Sequence, residues 1–216
     1  LEEKKLLIDE YVLLASKKSA GKEVIFMNKK YIVEEKSKDT FLNNRFNYAL
    51  FSAGSEVSLE YAPIAANNGC IVIDNSSGFR MKDNVPLIVP EVNKEMIEKN
   101  NGIIANPNCS TIQAVIPLKV LHERYTLKRV IYSTYQAVSG AGIKGIKDLE
   151  NTSKGNRATK FIYPIFNNCL PHIDVFLEND YTKEEMKMIL ETRKILNLPN
   201  LNITATCVRV PVKNCH

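Results

Sequence analysis

Long apolar runs are missing from this sequence. None exceeds a few residues, far short of the roughly 20 needed to cross a bilayer, and the acidic-basic opening Leu1-Glu2-Glu3-Lys4-Lys5 does not read as a signal sequence. Clustered cysteines are missing too. Cys70, Cys109, Cys169, Cys207 and Cys215 are scattered and odd in number, with no C-x-x-C pair and no histidine at metal-ligand spacing. That pattern argues against a disulfide framework and against a metal site, so free thiols in a cytoplasmic protein are expected. There is no block of one charge either. The net charge of +5 is made of Lys and Arg alternating with Asp and Glu, which fits a solvated mixed surface and not a nucleic-acid partner. Internal repeats and low-complexity linkers are absent.

What is present is the composition of an ordinary soluble globular protein. With 44% apolar and 25% charged residues, 216 residues suffice to bury one or two cores. The chain does not open on methionine, its first residues read as the end of a helix, and it stops at His216 in a strand-loop pattern. The expectation is a segment of a longer protein.

Short apolar segments alternate with helical stretches, the pattern of an α/β protein with parallel strands. Tyr11 to Ala15, Tyr48 to Ser52, Cys70 to Ile73 and Gly102 to Ala105 are the expected buried strands, each followed by a polar or small-residue loop where ligands of such sheets gather. Helices are expected at Glu56 to Asn67 and Asn93 to Asn100. From about Asn108 the elements lengthen: a helix from Cys109 to Arg124, a strand from Leu127 to Ala137, a Gly-rich turn at Ser139 to Gly142 and a helix through Lys154. Thr182 to Leu196 reads as an amphipathic helix with Thr182 and Glu185 in a capping box, and Leu201 to Val212 as a strand. The expected domains are residues 1–107, of nucleotide-binding type, and residues 108–216, a second α/β domain.

The most informative stretch is Asn106-Pro107-Asn108-Cys109-Ser110-Thr111, between a strand and a helix. A cysteine in a helix's first turn meets free N–H groups and the positive end of the helix dipole, which favour a thiolate and could hold an oxyanion formed on attack. A small buried cysteine beside a helix cap is the plainer alternative.

At this stretch the chain resembles the aspartate-semialdehyde dehydrogenases, whose active-site signature NPNCSTIQ is similar to. The resemblance continues in order through LASKKSAGK (Leu14 to Lys22), FSAGSEVS (Phe51 to Ser58), IDNSSGFRMKDNVPLIVPEVN (Ile73 to Asn93), YQAVSGAG (Tyr135 to Gly142), LPHIDVF (Leu170 to Phe176) and RVPVKNCH (Arg209 to His216). It implies a Rossmann-type dinucleotide-binding domain followed by a catalytic and dimerisation domain. It also implies NADPH-dependent conversion of L-aspartyl 4-phosphate to L-aspartate 4-semialdehyde in lysine, threonine and methionine biosynthesis.

By the resemblance Cys109 is the nucleophile that forms a thioacyl enzyme, Gln136 orients substrate and thioester, and His216 is the acid/base. Arg209 binds the amino acid's carboxylate. Arg80, with Lys187 and Asn108, holds the phosphate, and Glu184 takes the substrate's ammonium group. Planar guanidinium donors suit both anions. Glu184 and Lys187, three apart on a helix, are equally consistent with a modest surface pair. Ser16, Lys18 and Ser19, with no acid in their place, fit the 2′-phosphate of NADP. Ser52, Ala53 and Gly54 would line the cofactor's path, and Ser139 and Gly140 would lie near the nicotinamide. A homodimer or dimer of dimers is implied. The sequence departs from the family's habit at Cys215, where Gly or Ser is usual. Alternatives are an N-acetylglutamyl-phosphate reductase of the same architecture, a Cys–His hydrolase without redox cofactor, and a non-catalytic protein that retains the fold.

Overall fold

The computed structural model describes residues 8–214. They divide into two compact units. The first is formed by residues 8–86 and 97–106, the second by residues 87–96 and 107–214.

The first unit opens with β1 (Leu14–Ala15), β2 (Glu23–Phe26), β3 (Lys29–Ile32) and β4 (Glu34–Glu35). β1 and β4 pair in parallel, while β2 and β3 form an antiparallel hairpin in which Phe26 faces Lys29. Met27 and Asn28, with φ of 50° and 59°, close that hairpin. Two left-handed residues give the turn whose twist matches the flanking strands. The expected strand from Tyr11 shrinks to β1, because only its last part finds a neighbouring backbone. A short helix, α1 (Lys38–Asn43), starts where the Ser37 hydroxyl accepts the Thr40 N–H at 3.0 Å.

Next come β5 (Tyr48–Phe51), α2 (Ser55–Asn67), β6 (Ile71–Asp74) and β7 (Ile103–Ala105). The strands pair in parallel in the order β5-β6-β7, as the apolar segments joined by helical stretches imply. Aromatic packing of Phe41 against Phe46, Phe51 and Tyr61, with Ala62, Ala65 and Val72 fully or nearly fully buried, forms the core between α1, α2 and the sheet.

The second unit contains α3 (Pro90–Asn93), α4 (Cys109–Tyr125), β8 (Arg129–Gln136), α5 (Gly142–Thr152), α6 (Lys183–Leu196) and β9 (Asn202–Arg209). The helix expected at Asn93 to Asn100 is instead α3 followed by a 3-10 segment, Lys94–Lys99. Pro90 pre-sets the first helical φ, and the Asn93 side chain accepts the Val89 N–H and donates to Leu87 O, drawing the start forward. β8 and β9 pair in parallel from Arg129↔Asn202 to Gln136↔Arg209. β9 ends before the expected Val212 because Pro211 has no N–H to continue the ladder.

α6 packs on both β9 and α4. Its capping box is formed as expected: Thr182 Oγ1 accepts the Glu185 N–H, and Glu185 Oε2 accepts the Thr182 N–H at 2.7 Å. Val138, Ile165 and Leu170 form a buried cluster joined by Ile146, Leu149 and Phe161. Each such side chain contributes about 2 kcal/mol through burial.

Candidate active site in the second unit

Asn108 is the N-cap of α4, and Cys109 is its first helical residue. The Asn108 side-chain oxygen accepts the N–H groups of Ser110 at 2.9 Å and Thr111 at 3.3 Å. The expectation that the first-turn amides together hold an oxyanion is therefore narrowed. Two of them are already satisfied, and the Cys109 N–H is the donor left at that end among the described residues. The thiol itself is exposed.

Other thiols differ. Cys70 and Cys207 are buried, and burial pushes both up, Cys207 to about 11. Cys169 is exposed but lies in a loop, away from any helix start.

α6 presents three buried acids, Glu184, Glu185 and Glu191, which is unusual for a glutamate-bearing helix. Buried carboxylates persist only where hydrogen bonds replace water, and each of these has such partners. Glu184 Oε1 accepts the Asn108 side-chain amide at 3.0 Å and the Gln136 amide at 3.1 Å, and its Oε2 faces Lys187 Nζ at 3.3 Å. Glu185 closes the capping box and accepts the Cys207 N–H at 3.0 Å. Glu191 accepts the main-chain N–H of Asn108 at 2.7 Å.

Glu184 and Lys187 are thus not the modest surface pair their spacing allowed. The Glu184 side chain is 8% exposed, because α6 lies against β9 and α4. Lys187 sits between Glu184 and Asp174, whose Oδ2 is 2.9 Å from its Nζ. Burial works against the Lys187 ammonium, but Asp174 and Glu184 outweigh it and raise its pKa. Burial likewise opposes the Asp174 carboxylate, yet Lys187 and the Val175 N–H hold it below its ordinary value.

Gln136 and Arg209 face each other at the C-terminal ends of β8 and β9, the end of a parallel pair where ligands bind. Gln136 is oriented at both ends of its amide: its oxygen accepts the Thr134 hydroxyl at 2.9 Å while its nitrogen donates to Glu184. Arg209 is buried and donates to Ala137 O at 2.6 Å. Burial lowers its pKa, while Glu184 and the Cys109 sulfur lie near enough to act the other way. Ser139 and Gly140 belong to a 3-10 turn, Val138–Ala141, in place of an open Gly-rich turn. A Cβ on Gly140 would come 2.9 Å from Arg209 Nη1, so a larger residue there would make the guanidinium or the loop shift.

Cys109, Asn108, Gln136, Glu184, Lys187 and Arg209 are thus gathered in the second unit. Arg80 belongs to the first unit. It is buried there and donates to the main-chain oxygens of Asn106 at 2.9 Å and Asn75 at 3.0 Å, beyond the ends of β7 and β6. Ser16, Lys18 and Ser19 form the turn after β1, closed by Ser19 N–H to Ser16 O at 2.8 Å, with Ser16 and Lys18 exposed. Ser52, Ala53 and Gly54 are exposed between β5 and α2. His216 lies outside the described residues, as do Cys215 and the first residues, which were expected to end a helix. Sequence reading did not single out Glu191, Asp174 or Thr134. Only Glu191 carries a local signal, being two helical turns from Glu184 on the same face of α6.

No helix among the described residues is long and apolar enough to cross a membrane. Residues 1–100 match the family model of the semialdehyde dehydrogenase NAD-binding domain, and residues 118–216 that of the semialdehyde dehydrogenase dimerisation domain. The aspartate-semialdehyde dehydrogenase of Aquifex aeolicus is 52% identical over 98% of this chain, which spans 65% of that relative's length. That of Vibrio mimicus is 46% identical over 98% of this chain and 69% of its own. The crystal structure of aspartate semialdehyde dehydrogenase II from Vibrio cholerae, complexed with ASA, superposes with a TM-score of 0.90 at 45% identity, over 98% of this chain and 65% of that one. The chain belongs to the aspartate-semialdehyde dehydrogenase family.

Proposed function

We propose that this protein reduces L-aspartyl 4-phosphate to L-aspartate 4-semialdehyde, with NADPH as reductant and Cys109 as the covalent nucleophile. One observation supports this most: an exposed thiol in the first turn of α4, whose cap residue Asn108 is bonded to Glu184 in a cluster with Gln136 and Lys187.

The Cys109 sulfur attacks the C4 carbonyl, the bond from that carbon to the phosphate oxygen breaks, and a thioester and inorganic phosphate result. The Cys109 N–H faces the carbonyl oxygen as charge develops on it. Arg209, desolvated beside Glu184, binds the α-carboxylate, and Glu184 takes the α-ammonium. Lys187 and Asn108 hold the phosphate. Gln136, fixed at both ends of its amide, holds the thioester carbonyl. The Cys109 proton passes by way of His216 to the departing phosphate; after reduction the carbon–sulfur bond breaks, the aldehyde leaves and the thiolate returns.

The first unit fits a nicotinamide dinucleotide at two places. α2 starts without a side-chain cap at Gly54, whose φ of 97° and open surroundings let a ligand approach its backbone. The turn at Ser16, Lys18 and Ser19 offers hydroxyls and a cation in place of an acid, which favours the 2′-phosphate of NADP over the ribose hydroxyls of NAD. Such a cofactor, when bound, supplies the hydride.

A homo-oligomer, a dimer or a dimer of dimers, accords with the exposed Ile131, Tyr135 and Ile143 of the second unit, 64%, 71% and 73% accessible.

The test is phosphate-dependent reduction of NADP by L-aspartate 4-semialdehyde, comparing the protein with its Cys109→Ala variant. Activity that needs both phosphate and NADP and disappears in the variant supports the reading. Activity retained by the variant, or turnover without nucleotide, overturns it in favour of another chemistry.

A further inference from the structure

We infer that Glu191 is a positioning residue for the Cys109 thiol, acting through the main-chain N–H of Asn108. The inference rests on the reading of Cys109 as the nucleophile and names a residue which that reading leaves without a role.

Asn108 is held by α6 at two points. Its side-chain amide donates to Glu184 at 3.0 Å, and its main-chain N–H donates to Glu191 at 2.7 Å. Both acceptors are buried, Glu184 at 6% and Glu191 at 2% exposure. Spaced by seven residues, Glu184 and Glu191 lie on one face of α6 with their backbones roughly 10 Å apart along its axis, and their side chains converge on Asn108. One residue gripped by two acceptors on a rigid helix can neither slide along α6 nor turn about the chain.

The main-chain bond also falls where the chain has little else to hold it. The preceding Pro107 has no N–H, and an N-cap N–H takes no part in the helix ladder. Asn108 passes the constraint on, since its side-chain oxygen fixes the amides of Ser110 and Thr111, the two residues after Cys109 in the first turn. Cys109, between Asn108 and these amides, is set by Glu191 without touching it.

A merely structural Glu191 would affect unfolding and leave the reactivity of folded protein unchanged. The test uses the intact protein and the variants Glu191→Gln, Glu191→Leu and Glu191→Asp. Glutamine keeps a side-chain oxygen at the same reach, leucine fills the space without an acceptor, and aspartate keeps the charge but retracts the oxygen. For each, the rate of iodoacetamide modification at Cys109 is measured by peptide mass alongside kcat, KM and thermal unfolding.

The expected result is a leucine variant, folded at the assay temperature, with kcat lower by roughly 10²-fold, as misplacement by about 1 Å costs. Its KM stays near the wild-type value and its Cys109 modification is slowed, while glutamine restores most of both rates. A folded leucine variant with wild-type kcat and modification rate overturns the inference. So does a folded glutamine variant that falls as far as leucine. Where leucine does not fold, aspartate decides: a loss of kcat with KM unchanged supports the inference, and wild-type kcat overturns it. Failure of the nucleophile reading is separate, since it shows as activity in Cys109→Ala whatever the Glu191 variants do.

Discussion

The side-chain amide of Asn108 donates to Glu184 at 3.0 Å while its oxygen caps α4, so one residue ties the start of the cysteine-bearing helix to a buried carboxylate. Substitutions can separate the two duties. Asn108→Ser keeps a cap but loses the donor to Glu184, and is expected to cost about 1 kcal/mol of stability. Asn108→Asp keeps the cap but sets a second carboxylate against Glu184. The aspartate variant is therefore expected to be the less stable and less active of the two. Denaturant unfolding and kcat/KM read this directly, and equal behaviour of the two variants contradicts it.

Gly140 leaves room for the Arg209 guanidinium, and a methyl group there would stand 2.9 Å from Nη1. Gly140→Ala is expected to push Arg209 off its bond to Ala137 O. KM for the amino-acid substrate should rise by about tenfold, equivalent to about 1.4 kcal/mol, with a smaller effect on kcat. An unchanged KM would show that Arg209 does not bind the carboxylate or that the loop yields freely.

Asp148, fully buried in α5, is the anchor of the loop that follows. Burial works to raise its pKa, but the N–H groups of Phe161, Thr159 and Lys160 and the Thr159 hydroxyl outweigh it, so its pKa is lowered. A carboxyl with a lower pKa in the folded state than in the unfolded one stabilises the fold above its unfolded value of about 3.9 and loses that stabilisation as pH falls through the folded one. Stability should decline as pH falls below about 5, with Asp174 contributing in the same direction. Asp148→Asn is expected to cost about 2 kcal/mol near neutral pH and to flatten the acid limb in circular dichroism melts. An acid limb as steep as that of the wild type would contradict this.

Lys18 stands exposed in the turn after β1. Replacing it with alanine should raise KM for NADP by about tenfold, the worth of one charge-assisted bond to phosphate, and leave KM for NAD unchanged. Equal changes for the two nucleotides would remove Lys18 from the 2′-phosphate site.

Some of this was legible in the residues. Pro107 and Asn108 announce a helix start, and α4 begins at Cys109 as expected. Thr182 and Glu185 announce another, and their capping box is formed. The apolar segments at Tyr48, Cys70 and Gly102 became β5, β6 and β7 within a residue or two at each end. The hairpin of β2 and β3 was not legible. Its strands are mostly exposed, so no apolar alternation marks them, and its turn uses Met27 and Asn28 where glycine is the usual signal.

Local sequence determined what local forces control: where helices start, which strands are apolar enough to pair in parallel, and that a cysteine heads α4. These are contests among neighbours in the chain, decided by backbone sterics, caps and side-chain polarity. Whether Glu184 is a surface acid or a buried acceptor was decided only by tertiary packing. The bonds from Asn108 to Glu184 and Glu191 span 76 and 83 residues, and nothing in an i,i+3 spacing says which face of α6 meets α4 and β9. Burial removes water from those carboxylates, and the hydrogen bonds that replace it come from elements that only the fold brings together.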